Sequence, residues 1–447
     1  MFRKVRVQLA RLRFRVTDAL GRAPRLPPGS VGRHCLVGLG GRDFYFDKLR
    51  RYGPVFKMLW GSGRLKVGVA GFARAARLFA DHAGALVPVN IDIKPLVPKG
   101  FLRCMEGDDH AHYRRVFADA FSVDLIDGRE SEIRDGIARE LTTLVSVRAS
   151  GLSRSEQLEL TLNRVATRAL VACFFGVRPS DPAFPGLERG FARLGPRGIV
   201  HPLGDEQLAA FEELSEAIRA LVRDGGSEAS DSADTVLERL SRASGGAPVD
   251  ETVVGNVIFM AEMGRHDVCG LMRWLLKYLS DDEGARHELR GLSAAGGKEG
   301  PRGLFAEACV LETLRLDQAE GLNRRATREF NFDGYRIPVN TDVTVLLRET
   351  HGDPDVFAQP SRFDPHRFLG QRYTSDEYAP FGLGKHRCLA DAFVVRLGAL
   401  FVEELVDGFD WSVMSDGPVH QGRFHWQPSL DFAIELTARS RPSAEPD

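Results

Sequence analysis

The stretch that decides the fold is Pro380 to Ala390, PFGLGKHRCLA, which runs directly into the apolar segment Ala392 to Leu405. A free cysteine has a pKa of roughly 8.5, so at neutral pH it is mostly protonated. Backbone N–H groups, a helix N-terminus and a metal ion each favour the thiolate. Gly382 and Gly384 permit positive φ, which lets a short loop turn its amides toward the sulfur of Cys388. The sequence therefore predicts a loop that holds one stabilised thiolate at the start of a helix.

The same loop matches a known pattern, Phe-x-x-Gly-x-His/Arg-x-Cys-x-Gly/Ala. The matching residues are Phe381, Gly384, His386, Cys388 and Ala390. On these residues the chain resembles the cytochrome P450 superfamily. The resemblance implies haem b (iron-protoporphyrin IX) as cofactor, Cys388 as the protein ligand of the iron, and Gly382 as part of the cofactor-binding loop.

A second motif lies on a predicted helix from Phe305 to Leu316. Glu312 and Arg315 are three residues apart, which places carboxylate and guanidinium on one helix face. The pair resembles the family's buried Glu-x-x-Arg pair, which an arginine from a later segment joins, and here Arg367 is that arginine. The resemblance implies that the trio fixes the scaffold behind the haem and takes no catalytic step.

The resemblance also implies a set of residues that bind the haem propionates. His110 and Arg114 are one helical turn apart, and arginine suits a carboxylate in a bidentate arrangement. Arg325, which precedes the strand-rich region, and His386 match further propionate partners. These residues occur along the chain in the same order as in the family.

Residues Glu251 to Leu279 read as one long helix with Asp250 as its N-cap, and this helix is predicted to cover the distal side of the haem. Its first half is apolar on most sides, as is typical of a helix through a core. Aligning its sequence with the family's pattern places Gly264 where the family has a glycine beside the haem.

The distal helix then departs from the family. Where the family has an acid followed by a threonine, this chain has His266 and Asp267. Oxygen activation needs protons, which His266 could supply and Asp267 could relay. Arg265 could hold a substrate carboxylate. The alternative is that Arg265 and His266 pair with Glu262 on the far side of the helix.

Composition narrows the class of protein. The 447 residues are 43% hydrophobic and 27% charged with a net charge of −1, which is typical of a globular protein and gives no field that gathers nucleic acid. The cysteines contain no CxxC pair, which predicts reduced thiols and a cytoplasmic location. They are Cys35, Cys104, Cys173, Cys269, Cys309 and Cys388.

The chain divides into a basic leader over residues 1–28, a single domain over 29–440 and a flexible tail over 441–447. The leader is too polar to span a bilayer. It is either a solvated segment or a basic amphipathic helix that makes weak contact with a membrane surface. The apolar residues that recur at helical spacing in it are Val5, Leu9, Leu12 and Val16.

The rest of the pattern predicts a mainly α fold with a small β portion (α+β), with the haem between the distal helix and the cysteine-loop helix. A hairpin is expected over Pro54 to Val69, helices from Phe72 to Val177, and short strands over Phe330 to Leu347 with a turn at Asp333–Gly334. The family resemblance extends from about Pro27 to the strand Phe432–Leu436.

The expected activity is that of a haem-thiolate monooxygenase acting on a medium-sized, partly polar molecule of specialised metabolism, with an anionic molecule as one option. Ferredoxin and ferredoxin reductase are the expected electron source, because the chain has no flavin domain. The missing threonine favours an alternative, a peroxide-dependent or rearranging enzyme, and a non-catalytic haem or ligand-binding protein is a third reading. A turn near Phe424 is expected to line the pocket. Its expected polar anchors are Lys94, Lys99, Arg265 and Glu320.

Overall fold

A computed structural model describes residues 2–21, 23–31, 41–60, 62–89, 96–146, 151–195, 203–223, 234–245, 249–318, 321–421 and 426–439. The fold is mainly helical with small sheets, as the sequence predicts. Among the described residues, no helix is both long and apolar enough to cross a membrane.

The helices are α1 (Phe2–Leu20), α2 (Phe44–Tyr52), α3 (Phe72–Asp81), α4 (Gly107–Ala118), α5 (Asp124–Asp127), α6 (Glu130–Ser146), α7 (Arg154–Phe175), α8 (Phe184–Leu194), α9 (Asp205–Arg223), α10 (Val236–Ala243), α11 (Glu251–Asp281), α12 (Glu283–Gly291), α13 (Pro301–Thr313), α14 (Leu347–His351) and α15 (Asp391–Gly408). A π-helical turn, Leu314–Gln318, extends α13.

The strands are β1 (Val55–Leu59), β2 (Leu65–Val69), β3 (Leu86–Pro88), β4 (Leu322–Ala326), β5 (Phe330–Phe332), β6 (Tyr335–Ile337), β7 (Asp342–Val345), β8 (Phe409–Ser415), β9 (His420–Gln421), β10 (Trp426–Gln427) and β11 (Ala433–Ala438). The largest sheet has the order β1-β2-β7-β4-β3, with β2 and β7 parallel and the other pairs antiparallel. The pairs β5–β6, β8–β11 and β9–β10 form separate antiparallel ribbons.

Local sequence signals explain several element boundaries. The Asp250 carboxylate accepts a hydrogen bond from the Thr252 amide, so it caps α11 as predicted. The β5–β6 turn has positive φ at both central residues, 51° at Asp333 and 78° at Gly334, which the Asp-Gly pair tolerates. The predicted hairpin is confirmed by the pairing of Val55 with Val69 across β1 and β2.

Helix α11 runs through the core and packs most extensively against α7. Most of its side chains are buried, including Trp274, which is 1% exposed. Helices α13 and α15 pack against each other beside it, and α15 begins three residues after Cys388. The fold therefore places the cysteine loop and the middle of α11 on two sides of one core.

The buried acid–arginine trio has the predicted arrangement. Arg315 donates to Glu312 through Nε and Nη2 at 2.7 and 2.8 Å, and both side chains are almost fully buried. Arg367 Nε lies 3.3 Å from Glu312 Oε1. The Arg315 guanidinium also donates to the carbonyl of His351 at 3.0 Å. Removing one member would leave the others charged in the interior, so the trio fixes how α13 meets the later loop.

The leader forms α1, and its Val7 packs against Val31 and Leu59 of the main body. Of the two predictions for the leader, a solvated segment and an amphipathic helix, the structure has the helix. The residues of the predicted tail, 441–447, lie outside the described ranges, and the division of the chain at residues 28 and 440 stays a prediction.

Candidate active site

A cavity of about 290 Å³ separates the cysteine loop from α11. Cys388 lines one side of it, and Gly264 and Asp267 line the distal-helix side. The Cys388 side chain is accessible, but what it faces is this cavity rather than the outer surface. The remaining wall is mostly apolar, with Phe259, Met260, Met263, Val268, Leu271, Leu314 and Leu322 among its members.

Backbone geometry fixes the position of the sulfur. Gly382 and Gly384 have φ values of 87° and 62°, which confirms that the loop uses the left-handed region where glycine is favoured. The Cys388 amide donates to the carbonyl of Phe381 at 2.9 Å, and the Arg387 amide donates to that of Gly384 at 3.1 Å. The loop is therefore closed on itself before α15 begins.

The loop does not by itself favour the thiolate. Burial raises the pKa of Cys388 to about 11, against the hydrogen bond from the Ala390 backbone, which lowers it. The carboxylates of Asp391 and Asp267 raise this pKa further, and Arg114 lowers it. The lost hydration of the anion outweighs the donors that the sequence analysis counted. A metal ion on the sulfur would reverse this balance.

Two histidines at the cavity edge have buried ring nitrogens without a partner. Within the described part of the chain, neither His110 Nε2 nor His386 Nδ1 has a hydrogen bond. The ring centroids are 4.3 Å apart. Burial lowers the pKa of His386 to about 4, and Arg324 and His110 lower it further. His386 Nε2 lies 3.2 Å from Glu106 Oε1, so the neutral ring donates there and its Nδ1 carries no proton. His110 Nε2, near the Arg324 cation, is a donor that an anionic group at this edge would satisfy.

Arg325, an expected propionate partner, is not among the residues that line the cavity. Arg325 Nε donates to Asp342 at 2.8 Å, so its side chain is held at the sheet. The preceding residue, Arg324, interacts electrostatically with Glu106 and His386 instead. Successive side chains of a strand point to opposite faces, so only one of two adjacent arginines can face the cavity edge. The pairing of β4 with β7 therefore favours Arg324 as the propionate partner, whereas the sequence pattern predicts Arg325.

Arg114 lines the cavity as expected, but its contact is with the cysteine loop. Its Nη1 donates to the carbonyl of Arg387 at 2.5 Å, directly before Cys388. Arg114 therefore braces the loop and contributes positive charge near the sulfur.

The structure also differs from expectation for two of the four distal residues. Arg265 and His266 are not among the residues that line the cavity. Both lie against Glu262, which is fully buried. Arg265 Nη2 is 2.9 Å and His266 Nε2 is 3.1 Å from its Oε1. The alternative reading, a pairing with Glu262 on the far side of the helix, is the arrangement present.

Helix geometry explains this division. Consecutive residues are about 100° apart, so Gly264 and Asp267 lie about 60° from each other while Arg265 and His266 face the other way. With Gly264 and Asp267 at the cavity, the same spacing places Arg265 and His266 each about 130° from the centre of that face. The helical spacing of these four residues was therefore the sequence signal that separates the two faces.

Arg265 also connects α11 to neighbouring helices. Its Nη2 donates to the carbonyl of Gly195 at 2.9 Å, just after α8, and its Nη1 donates to Asn163 Oδ1 on α7 at 3.0 Å. With these bonds the guanidinium stabilises the buried Glu262 carboxylate and holds three helices together. It is not placed to hold a substrate.

Of the other expected substrate anchors, the structure describes Lys99. Lys99 forms an exposed ion pair with Asp109 at 3.4 Å. Lys94, Glu320 and Phe424 lie outside the described residues. Arg103, which the sequence analysis did not single out, lines the cavity.

These residues fit a haem. The cavity offers a sulfur for iron on one side and apolar walls for the ring. At its edge, His110 Nε2 is unsatisfied, and Arg324, which lies near His110 and His386, supplies positive charge for carboxylates. Thiolate ligation, cationic propionate partners and an apolar surround are what such a cofactor needs. Across the described residues no cluster of His, Cys, Asp or Glu has the arrangement of another metal site.

Comparisons with known proteins agree with this fit. The family model "Cytochrome P450" matches residues 304–428. The "Putative cytochrome P450 138" of Mycobacterium tuberculosis is 26% identical over 399 residues, covering 83% of this chain and 86% of that protein. "Abscisic acid 8'-hydroxylase 3" of Oryza sativa is 22% identical, covering 88% and 83%.

A solved structure, "Retinoic acid bound cyanobacterial CYP120A1", shares the fold. Its TM-score is 0.72 at 19% sequence identity, and the match covers 94% of this chain and all of that one. The family model covers the Glu312–Arg315 pair and the Cys388 loop, and the relatives extend the match over most of the chain. In its cysteine loop, over most of its sequence and in its fold, the chain is similar to the cytochrome P450 superfamily of oxidoreductases, and this similarity implies haem as the cofactor.

Proposed function

We propose that this protein is a haem-thiolate monooxygenase in which Cys388 binds the iron and Asp267 carries protons on the distal side. The observation that carries the proposal is the placement of Cys388 and Asp267 on opposite sides of one cavity. Bound there, haem supplies the oxidising chemistry that the protein side chains lack.

The chain's own residues orient the cofactor and protect the reaction. The loop hydrogen bond from the Cys388 amide to Phe381 fixes the sulfur, and His110, Arg324 and His386 would hold the propionates. The apolar walls exclude water and hold the substrate by its hydrophobic surface.

Asp267 is suited to the proton-carrying role. It lines the cavity one helical turn from Gly264, where the missing side chain leaves room for a ligand. A Cβ at Gly264 would meet only Leu170 at 3.5 Å, an ordinary contact, so the glycine serves the cavity rather than tight helix packing. A carboxyl group within reach of the reacting atoms acts as a general acid.

We propose a medium-sized, mainly apolar carboxylic acid of specialised metabolism as the substrate. The lining is mostly hydrophobic, and Arg103 lies among these residues and is the cation that suits a carboxylate. Two of the similar proteins are named for such acids, abscisic acid in one case and retinoic acid in the other. Arg103→Gln should weaken binding of the acid at least tenfold and binding of its methyl ester little.

Electrons would come from a ferredoxin and its reductase. Cys173, Cys269 and Cys309 are buried free thiols, which suits the reducing compartment, the cytoplasm, where we expect the enzyme to work.

A second candidate function is a peroxide-dependent or rearranging enzyme. The residue that follows Asp267 is Val268, which lines the cavity without a hydroxyl group. A proton relay through an acid and an alcohol is therefore incomplete on this helix.

Turnover assays separate the candidates. The haem-loaded protein is incubated with candidate acids under three conditions: NAD(P)H with ferredoxin and reductase, peroxide alone, and no oxidant. Product only with the electron-transfer partners supports the monooxygenase. Product with peroxide alone, or with no oxidant, supports the second candidate, and substrate binding without product in all three arms supports a binding protein.

A further inference from the structure

Helix α1 has two apolar faces, and the main body uses one of them. Val7 is 7% exposed, and Ala10 and Phe14 pack beside it against Val31 and Leu59. At about 100° per residue, these three helix positions lie on one side of α1. This face explains how the helix is held on the protein.

The second face has no such explanation. Val5, Leu9, Leu12 and Val16 are 50%, 61%, 61% and 46% exposed. Their spacing of four, three and four residues confines them to an arc of about 60° on the side opposite to Phe14. We refer to these four residues as the outer stripe. Four exposed aliphatic side chains in one line form the kind of patch that marks an interaction surface.

The positive charge on both sides of the outer stripe indicates what kind of surface the stripe contacts. Arg13 and Arg15 are exposed and lie about 70° and 90° from the centre of the stripe, one on each side. Asp18 is the only acidic residue in the sequence of α1. An apolar stripe with an arginine on each side is the pattern of a helix that lies in a membrane interface.

We propose that α1 docks the protein on an anionic lipid surface, with the outer stripe in the boundary between headgroups and acyl chains and the arginines at the phosphates. The opposite face stays packed on Val31, so docking needs no rearrangement of the body. A second copy of the chain fits this face less well. A twofold pairing of the stripes would bring the flanking arginines of both copies together. The proposal does not rest on the proposed catalytic function.

The test is flotation of the full-length haem-loaded protein with vesicles of phosphatidylcholine alone or with about one-third phosphatidylglycerol. Binding is expected to the anionic vesicles and to fall as salt is raised. Leu9→Gln with Leu12→Gln should weaken this binding at least tenfold, because two leucines no longer enter the interface. Arg13→Gln with Arg15→Gln should weaken binding to anionic vesicles about tenfold.

A matched control changes two other leucines that are also about half exposed. Leu304 on α13 and Leu430 are 46% and 54% exposed, and their replacement by glutamine should leave vesicle binding unchanged. Circular dichroism and the haem spectrum check that every variant is folded. Absence of vesicle binding, equal loss in the control variant, or a dimer in sedimentation that the Leu9 and Leu12 variant abolishes would each overturn the proposal.

Discussion

The cysteine loop and the distal helix face each other across the cavity, but they position their functional groups in different ways. The loop does so with its backbone, through glycines at positive φ and the hydrogen bond from the Cys388 amide to Phe381. The distal helix has regular backbone geometry, so the sequence position of each residue determines whether its side chain faces the cavity. Of four consecutive residues, Gly264 and Asp267 line the cavity, and Arg265 and His266 contact Glu262 on the other side of the helix.

The comparison teaches that neighbouring charged residues on the distal helix have separate tasks. Asp267 has access to the reacting groups, whereas Arg265 and His266 stabilise a carboxylate that is fully buried. Loop variants should therefore abolish function outright, and helix variants should divide into effects on turnover and effects on stability.

The largest effect is expected in the loop. Cys388→Ala removes the sulfur that we assign to the iron, and turnover should fall to the level of haem free in solution. Cys269→Ala is the control, since that cysteine is also free but lies on α11 among buried residues away from the cavity lining. Equal turnover in the Cys388 variant and the control would contradict the assignment of Cys388 as the ligand of the iron.

The next largest effect separates the two faces of the helix. Asp267→Asn should lower kcat by roughly a hundredfold to a thousandfold, because the amide cannot donate a carboxyl proton, and should change substrate affinity little. His266→Gln should change kcat less than about threefold. The measurements are kcat and the substrate dissociation constant from spectral titration. A larger loss of kcat with His266→Gln than with Asp267→Asn would indicate that His266, not Asp267, delivers the protons.

Stability should respond in the reverse order. Arg265→Gln leaves the Glu262 carboxylate buried with a lost partner, so the free energy of unfolding should fall by about 3–5 kcal/mol. The double variant Glu262→Gln with Arg265→Gln should lose less, because no charge remains buried. Denaturant titration measures both.

Arg273→Gln on the same helix is the control for this stability effect. Arg273 is as buried as Arg265, but its partner Glu159 is 40% exposed, so the loss should be smaller. An equal loss for both arginines would contradict the role we give to the buried carboxylate.

The smallest effect concerns the cavity edge. Arg324→Gln should weaken haem retention by about tenfold, the value of one charge-assisted hydrogen bond. Arg325→Gln removes the bond to Asp342 and should change haem retention less than about twofold. Transfer of haem to an excess of an apo-haem acceptor measures both, and the opposite order would restore the partner expected from sequence.

Much of this arrangement could be predicted because short-range geometry determines it. The Cys388 loop, the Asp250 cap and the Asp333–Gly334 turn each depend on residues within a few positions of one another. The trio of Glu312, Arg315 and Arg367 was found through a family pattern, and the structure places all three together.

What could not be predicted depends on partners far away in the chain. Arg324 and Arg325 exchange roles according to how β4 pairs with β7, which no local pattern contains. Arg265 meets Asn163 on another helix, a contact that only the packed fold reveals. The pKa of Cys388 also depends on the depth of burial, which the loop sequence alone does not contain.

The most direct test is the absorption spectrum of the freshly purified, reduced protein under carbon monoxide. We expect a strongly red-shifted Soret band that Cys388→Ser abolishes and Cys269→Ala retains. A Soret band at the unshifted position in the wild-type protein, in fresh preparations with full haem content, would contradict the assignment of Cys388 as the ligand of the iron.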